Sequence, residues 1–530
     1  MPSQMNAISK TKRLGLGLAA AFARTRAVLD PRPSPARRAL DQWLKELQPS
    51  TTVQGRVLIT ALRNSSWIEW AAYAACVFRQ LGYESTLIYS GQQAKKSYHS
   101  LNRSQTFFEG IHRIPGMELV DLDEIVPKLE AVEALRPSAV AAGPAALAYD
   151  LHLEEHDVIA SGSPHASRLP SFIEANLRLG AAMHQVASRR SYHRFLCYSG
   201  LIAESAVMLE SARRLSIEAV CVEGWAWRPG HLIYNFGAPA LEYNVPGWLN
   251  ALGDWDEQKE CEIASYLKFL DGQGRDQAWL NNFYLVQKSS VTAALEPHVR
   301  SFVDGDAPIF LLTPNVIGDS SMLNRETIFV GQQEWTREVI QWFRQRPHLK
   351  LVVRAHPAEQ WVGAKCIVHM GQVARRAAAG SSNILVIDST EKLNIFSLLP
   401  FARAGLAWLS SAGVDMVVRG LPVVNAARPK YSGLGIVEEP TSKEAYFQQL
   451  DTWSREPVRP TPDQMRAGRR YLHLVFKGFS FPAYGTNYHA TTCTLNGMPD
   501  QLAHDRFYRI LLGLEPAPDR TPPRLDSDNS

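Results

Sequence analysis

Several things are missing or scarce in this sequence of 530 residues, and each absence narrows its chemistry. No two of its six cysteines form a CxxC pair, so the spacing of a zinc or iron–sulfur site is lacking. In a chain this long, six scattered cysteines read as reduced thiols and not as a disulfide framework, which favours the cytosol. No apolar run reaches the ~20 residues that cross a bilayer. The net charge of +4 is small for the length and argues against a nucleic-acid partner, whose domains carry a concentrated basic face. There is no GxxxxGK[ST] phosphate loop, no HExxH and no GxGxxG that follows a strand. Asp304-Gly-Asp306 is an acidic pair, but it precedes a strand and reads as a turn. Nothing calls for a metal or a cofactor.

What is present is ordinary globular material, 45% hydrophobic and 20% charged. Residues 1–45 read as a basic segment and linker: Lys10, Lys12 and Arg13 precede a short apolar stretch, and Arg24 and Arg26 follow. Such a segment either rests on an anionic inner-membrane surface or is a tail without structure. Residues 46–300 alternate apolar strands with helices: strands at 56–60, 85–89, 158–160, 195–198 and 217–222, and helices through Trp67–Leu81 and Phe172–Val186. The pattern weakens between Gly91 and Asp150, and residues from 225 on are aromatic-rich and irregular before turning helical. Residues 301–480 show five short strands alternating with helices, at 308–312, 349–354, 384–387, 405–409 and 421–424. Residues 481–515 hold a helix over 500–514 that suits a crossover back to the first domain, and 516–530 read as a disordered tail. The expected fold class is α/β, with two Rossmann-like domains facing a cleft.

In such folds ligands lie beyond the carboxyl ends of the strands. Four candidate groups sit there. Arg354 and His356, in the turn Arg354-Ala-His-Pro357, offer a cation and a hydrogen-bonding ring to a diphosphate, or form a structural turn. Ser410, Ser411 and Gly413 open a helix where small residues let a phosphate approach free N–H groups, and Asp415 either complements the helix dipole or accepts from a ribose. Thr313 and Asn315 end another strand. In the first domain, Glu223 ends a strand where it is either a general base for an acceptor hydroxyl or the partner of Arg228. Trp225, Trp227, Tyr234 and Trp248 either stack on sugar rings or form core.

Leu351-Val-Val-Arg-Ala-His-Pro357, Ser410-Ser-Ala-Gly-Val-Asp-Met-Val-Val-Arg-Gly-Leu-Pro-Val-Val424 and Tyr431-Ser-Gly-Leu-Gly435 resemble bacterial capsule polysaccharide biosynthesis proteins, a group that includes Kdo-transferase-like enzymes with the two-Rossmann GT-B fold. The resemblance covers roughly residues 300–440. It implies a glycosyltransferase that takes a nucleotide-sugar donor mainly on the second domain and a polysaccharide or glycolipid acceptor; the residues themselves add that the transfer needs no metal and that the first domain presents the acceptor. On the two readings together, His356 and Glu223 would be catalytic, and Arg354, Ser410, Ser411, Gly413, Asp415, Thr313 and Asn315 would bind the donor. Asp415 stands where a Glu is more usual and Leu421 where a Lys is common, which leaves the donor nucleotide open. Two other readings remain: a sugar-nucleotide 2-epimerase or polyol-phosphate transferase on the same architecture, and a non-catalytic scaffold of an assembly complex.

Overall fold

The computed structural model describes residues 35–62, 65–93, 108–151, 164–201, 203–225, 231–270, 295–360, 366–482 and 498–520. The basic N-terminal segment, the expected strand at 158–160, Arg228 and Trp227 lie outside them.

The first sheet is built from β1 (Gly55–Ala61), β2 (Tyr83–Tyr89), β3 (Met117–Asp121), β4 (Arg194–Tyr198), β5 (Ala219–Gly224) and β6 (His231–Phe236). The second holds β7 (Ile309–Thr313), β8 (Lys350–Arg354), β9 (Ile384–Ile387), β10 (Ala402–Ala407) and β11 (Val423–Asn425). A late strand, β12 (Phe481–Pro482), returns to the first sheet and pairs antiparallel with β6. The orders are β12-β6-β5-β4-β1-β2-β3 and β11-β10-β7-β8-β9. Each sheet therefore contains five parallel strands in the order 3-2-1-4-5 of a doubly wound domain, with its switch point between the first and fourth. The switch points fall between β1 and β4 and between β7 and β10, and they locate the two crevices.

The strands are apolar runs because helices cover them: β7 is buried throughout, as are Leu351–Val353 of β8. The helix Ser65–Gln80 is buried nearly all round, since it lies between the first sheet and the returning C-terminal chain, where Trp70 stacks on Tyr508 at 6.5 Å. Gly82, at φ +89, turns the chain from this helix into β2.

Several expectations need correction. The weakly patterned stretch before Asp150 holds β3 and a 22-residue helix, Leu129–Asp150, which contains Pro137 and Pro144. Those prolines and a half-buried edge strand hid both elements from a periodicity reading. The stretch after 225 contains β6, antiparallel to β5, so the first sheet is mixed. The helix marked by Leu393 and Phe396 is a 3₁₀ segment, Ile395–Phe401, with Pro400 inside it. The fourth strand of the second domain ends at Ala407, not Leu409. The supposed linker already begins a helix at Pro35. The expected helix at 500–514 is two short ones, Pro499–Ala503 and Arg506–Leu511. Residues 516–520 of the expected tail are ordered: Tyr234 donates to Asp519 at 3.4 Å, and Arg520 pairs with Glu218 at 2.7 Å.

Candidate functional site

At the second sheet's switch point, the ends of β7 and β10 are locked together. Thr313 Oγ1 donates to the carbonyl of Leu406 at 3.3 Å. Asn315 exchanges a pair of hydrogen bonds with Gln332, N–H to Oε1 at 2.9 Å and carbonyl from Nε2 at 3.0 Å, and its Oδ1 accepts from the Leu409 N–H at 3.0 Å. Gln332 begins the helix Gln332–Arg344, so one amide clamp fixes a strand end, a helix start and the chain leading to Ser410. Thr313 and Asn315, the expected donor-side residues, thus brace the strand ends that form this crevice.

The Ser410 turn is held the same way. Ser410 Oγ accepts from the Ala412 N–H at 3.2 Å, and its carbonyl accepts from the Tyr431 hydroxyl at 2.8 Å. Ser411 occupies the cap position of the helix Ala412–Val418 without a side-chain bond to it. Gly413 is small for an internal reason: a Cβ there would lie 2.8 Å from the Tyr431 hydroxyl. Asp415 is an interior residue, 4% exposed, with Oδ1 3.7 Å from Arg419 Nη1.

The Arg354–His356 turn lies one strand away from the Ser410 turn, with β7 between β8 and β10. At ~4.8 Å per strand the two turns are about 10 Å apart at one sheet edge. Arg354 does not reach outward. Its guanidinium is buried and donates to the carbonyls of Asp388 and, at 2.9 Å, Glu391, holding the loop after β9; burial lowers its pKa to about 10. His356 Nδ1 accepts from the Ala358 N–H at 3.1 Å, which places the ring hydrogen on Nε2. Burial, and then the Arg354 charge, lower its pKa to about 4. At neutral pH it is an uncharged donor.

The first sheet contributes a different chemistry. Ser199 and Gly200 follow β4 with φ of +58° and +81°. A serine in the left-handed region is strained, and such strain clusters at functional positions. Here it arises because Ser199 must donate its N–H to Val222 at 2.9 Å and offer its carbonyl to Ala240 at 2.8 Å within one sharp turn, against which Cys221 Sγ packs. Beside it Glu223 is 9% exposed, and its Oε2 is buried without a hydrogen-bond partner. Burial raises its pKa to about 7; the nearby Ser199 hydroxyl and then Lys430 pull it down, while Asp319 pushes it up. The Ser199 hydroxyl does not meet hydrogen-bond geometry with it in this conformation.

Two of the groups acting on Glu223, Lys430 and Asp319, belong to the second domain. Leu323 and Ala145 form a small buried cluster against which Tyr198 and Leu201 pack, which brings the loop after β7 close to the end of β4. Arg325, 5% exposed, pairs with Glu242, and Lys430 lies 3.5 Å from the same carboxylate oxygen while donating to the Leu241 carbonyl. Burial, and then Arg325, lower the Lys430 pKa to about 8. The loop holding Asp319 was legible as a strand-end loop that could line the cleft; Arg325, Lys430 and Glu242 were not foreseen. Asp319 and Lys430 end or follow strand loops, which is a usable signal, but Arg325 and Glu242 carry no pattern of their own. The aromatic cluster is core: Trp225 and Tyr243 close on Phe479 at 4.7 and 4.2 Å, and Trp225, Tyr234 and Trp248 are all buried.

Among the described residues no group of three or more His, Cys, Asp or Glu is placed to hold a metal ion, and no helix is long and apolar enough to cross a membrane.

Residues 282–472 match the family model described as capsule polysaccharide biosynthesis protein. No curated protein matches the chain. Solved structures that the chain matches include a β-Kdo 2,7-transferase, KpsC of Thermosulfurimonas dismutans (14% identity, TM-score 0.31, 54% of this chain and 79% of that one). A UDP-GlcNAc 2-epimerase of Neisseria meningitidis matches over 79% of this chain and 99% of its own (11% identity, TM-score 0.25). The calicheamicin glycosyltransferase CalG4 matches over 81% and 96% (12% identity, TM-score 0.26).

Proposed function

We propose, from the premise that residues 282–472 are a capsule polysaccharide biosynthesis domain, that this protein is a glycosyltransferase that moves a sugar from a nucleotide-activated donor to a polysaccharide or glycolipid acceptor. The observation that carries the reading is Glu223: a buried carboxylate with a free oxygen at a strand end, at the meeting of two doubly wound domains, with its pKa near neutrality. An ionised Glu223 accepts the proton of the acceptor hydroxyl. The hydroxyl oxygen bonds to the anomeric carbon as the bond to the donor phosphate breaks, and the nucleotide leaves as its phosphate anion. His356 serves as a neutral Nε2–H donor toward that leaving group, since it is uncharged at neutral pH and Arg354 is committed to the 388–391 loop. Arg354, Asn315, Thr313 and the Ser410 turn shape the donor side.

The test is product analysis with the purified chain, a set of UDP-, GDP- and CMP-activated sugars and a capsular oligosaccharide acceptor. Sugar incorporated into the acceptor, with release of nucleotide, supports the reading. An epimerised free sugar nucleotide formed without acceptor, or no binding of any donor, overturns it in favour of the epimerase or the scaffold.

A further inference from the structure

Ser199 continues the ladder that joins β4 to β5. The Phe195 N–H donates to the Glu218 carbonyl at 3.0 Å, and four residues further along both strands the Ser199 N–H donates to the Val222 carbonyl at 2.9 Å. With Cys197 opposite Cys221 and Tyr198 opposite Val222, the next register position sets Ser199 beside Glu223. Neighbours at one register position share a face of the sheet, about 4.8 Å apart. Both side chains are interior, at 1% and 9% exposure, and each holds a buried oxygen without a hydrogen-bond partner, Ser199 Oγ and Glu223 Oε2.

A glycine at position 199 would escape two costs that the serine bears. It would take the left-handed backbone without strain, as Gly200 does beside it, and it would bury no hydroxyl. The other described non-glycine residues with positive φ, Ser216 and Asn324, are exposed, so their polar side chains stay solvated. At Ser199 both costs stand uncompensated unless the hydroxyl meets the carboxylate at its side. Strain of this kind collects where a side chain is used.

We propose that Ser199 is a positioning residue for Glu223: rotation of its side chain brings Oγ–H onto Oε2, which fixes the carboxylate's orientation and favours its ionised form. The use made of that carboxylate rests on the glycosyl-transfer reading; the contact does not. Lys430 and Asp319, from the second domain, are the charged groups that act on Glu223, in opposite directions, and Ser199 adds a dipole and no charge.

Infrared titration of the full chain tests this without any substrate. The protonated-carboxyl band that disappears in Glu223→Gln reports Glu223 alone. Ser199→Ala removes the hydroxyl and keeps the strained backbone; Ser199→Gly removes both. Each is expected to move the midpoint of that band to higher pH by roughly one pH unit, since each loses a donor to the charged form. Ser199→Gly is expected to melt no lower than Ser199→Ala. A midpoint unchanged in either folded variant overturns the proposal, because a shift confined to one of them reports the backbone and not the hydroxyl. If Ser199→Ala fails to fold, Ser199→Gly decides it through the same band. In transfer assays the acidic limb of the pH–rate profile is expected to follow the midpoint upward. A band that shifts while the limb stays in place would sink Glu223 as the base and leave the Ser199 contact standing.

Discussion

The Tyr431 hydroxyl donates to the Ser410 carbonyl at 2.8 Å and accepts from Asn425 Nδ2 at 3.2 Å, so a residue twenty-one positions downstream fixes the turn after β10. Gly413 sits under that hydroxyl with no room for a methyl group. Gly413→Ala is expected to destabilise the fold by about 1–3 kcal/mol. Tyr431→Phe removes the oxygen that collides, so the double variant is expected to be more stable than the sum of the single losses. Urea denaturation of the four proteins closes this cycle.

Glu242 is the only carboxylate paired with both Arg325 and Lys430 among the described residues. Glu242→Gln leaves the buried Arg325 and the part-buried Lys430 facing each other and is expected to cost about 1–3 kcal/mol, moderated because Glu242 is one-third exposed. Adding Arg325→Met to Glu242→Gln is expected to recover part of the loss. Thermal melts of the single and double variants measure it.

The raised pKa of Glu223 makes stability depend on pH with a definite sign. Between the ordinary carboxylate value and about 7 the folded chain holds a proton that the unfolded chain has released. That contribution is complete below the unfolded pKa and is lost as pH rises through about 7. Glu223→Gln is therefore expected to be more stable than wild type at pH 8 by an amount on the order of 1–3 kcal/mol, at about 1.4 kcal/mol for each pH unit separating the two pKa values. At pH 4.5 the two proteins should differ little. Denaturant titrations at the two pH values provide the comparison.

His356 is neutral down to about pH 4, so it does not supply the acidic limb of a neutral-range pH–rate profile. His356→Ala is expected to lower kcat about 10²-fold, the scale for losing one transition-state donor, without moving that limb. His356→Asn, which can still donate, is expected to fall less far. Rates of sugar incorporation across pH 5–9 check both.

The parallel part of the fold could be read because its strands, buried on both faces, are continuous apolar runs such as Phe310-Leu-Leu312 and Leu351-Val-Val353, punctuated by residues such as Gly82 and Gly420 in the left-handed region. β3 and β6 escaped because an edge strand and an antiparallel strand amid aromatics lack that signature, and the helix Leu129–Asp150 because its two prolines imitate breaks. For the site, sequence located the strand ends to within about two residues but could not say where each side chain spends its hydrogen bonds. Arg354, Thr313 and Asn315 are consumed in bracing neighbouring loops. Arg325 and Glu242 matter only because tertiary packing brings them together, which no local pattern encodes.

The most direct test of the proposed chemistry compares wild type with Glu223→Gln for transfer of a labelled sugar from its nucleotide to a capsular oligosaccharide, with donor binding measured on both by calorimetry. The expected result is unchanged donor affinity with transfer reduced at least about 10²-fold, the lower range for loss of a general base. Transfer by Glu223→Gln at the wild-type rate would contradict it.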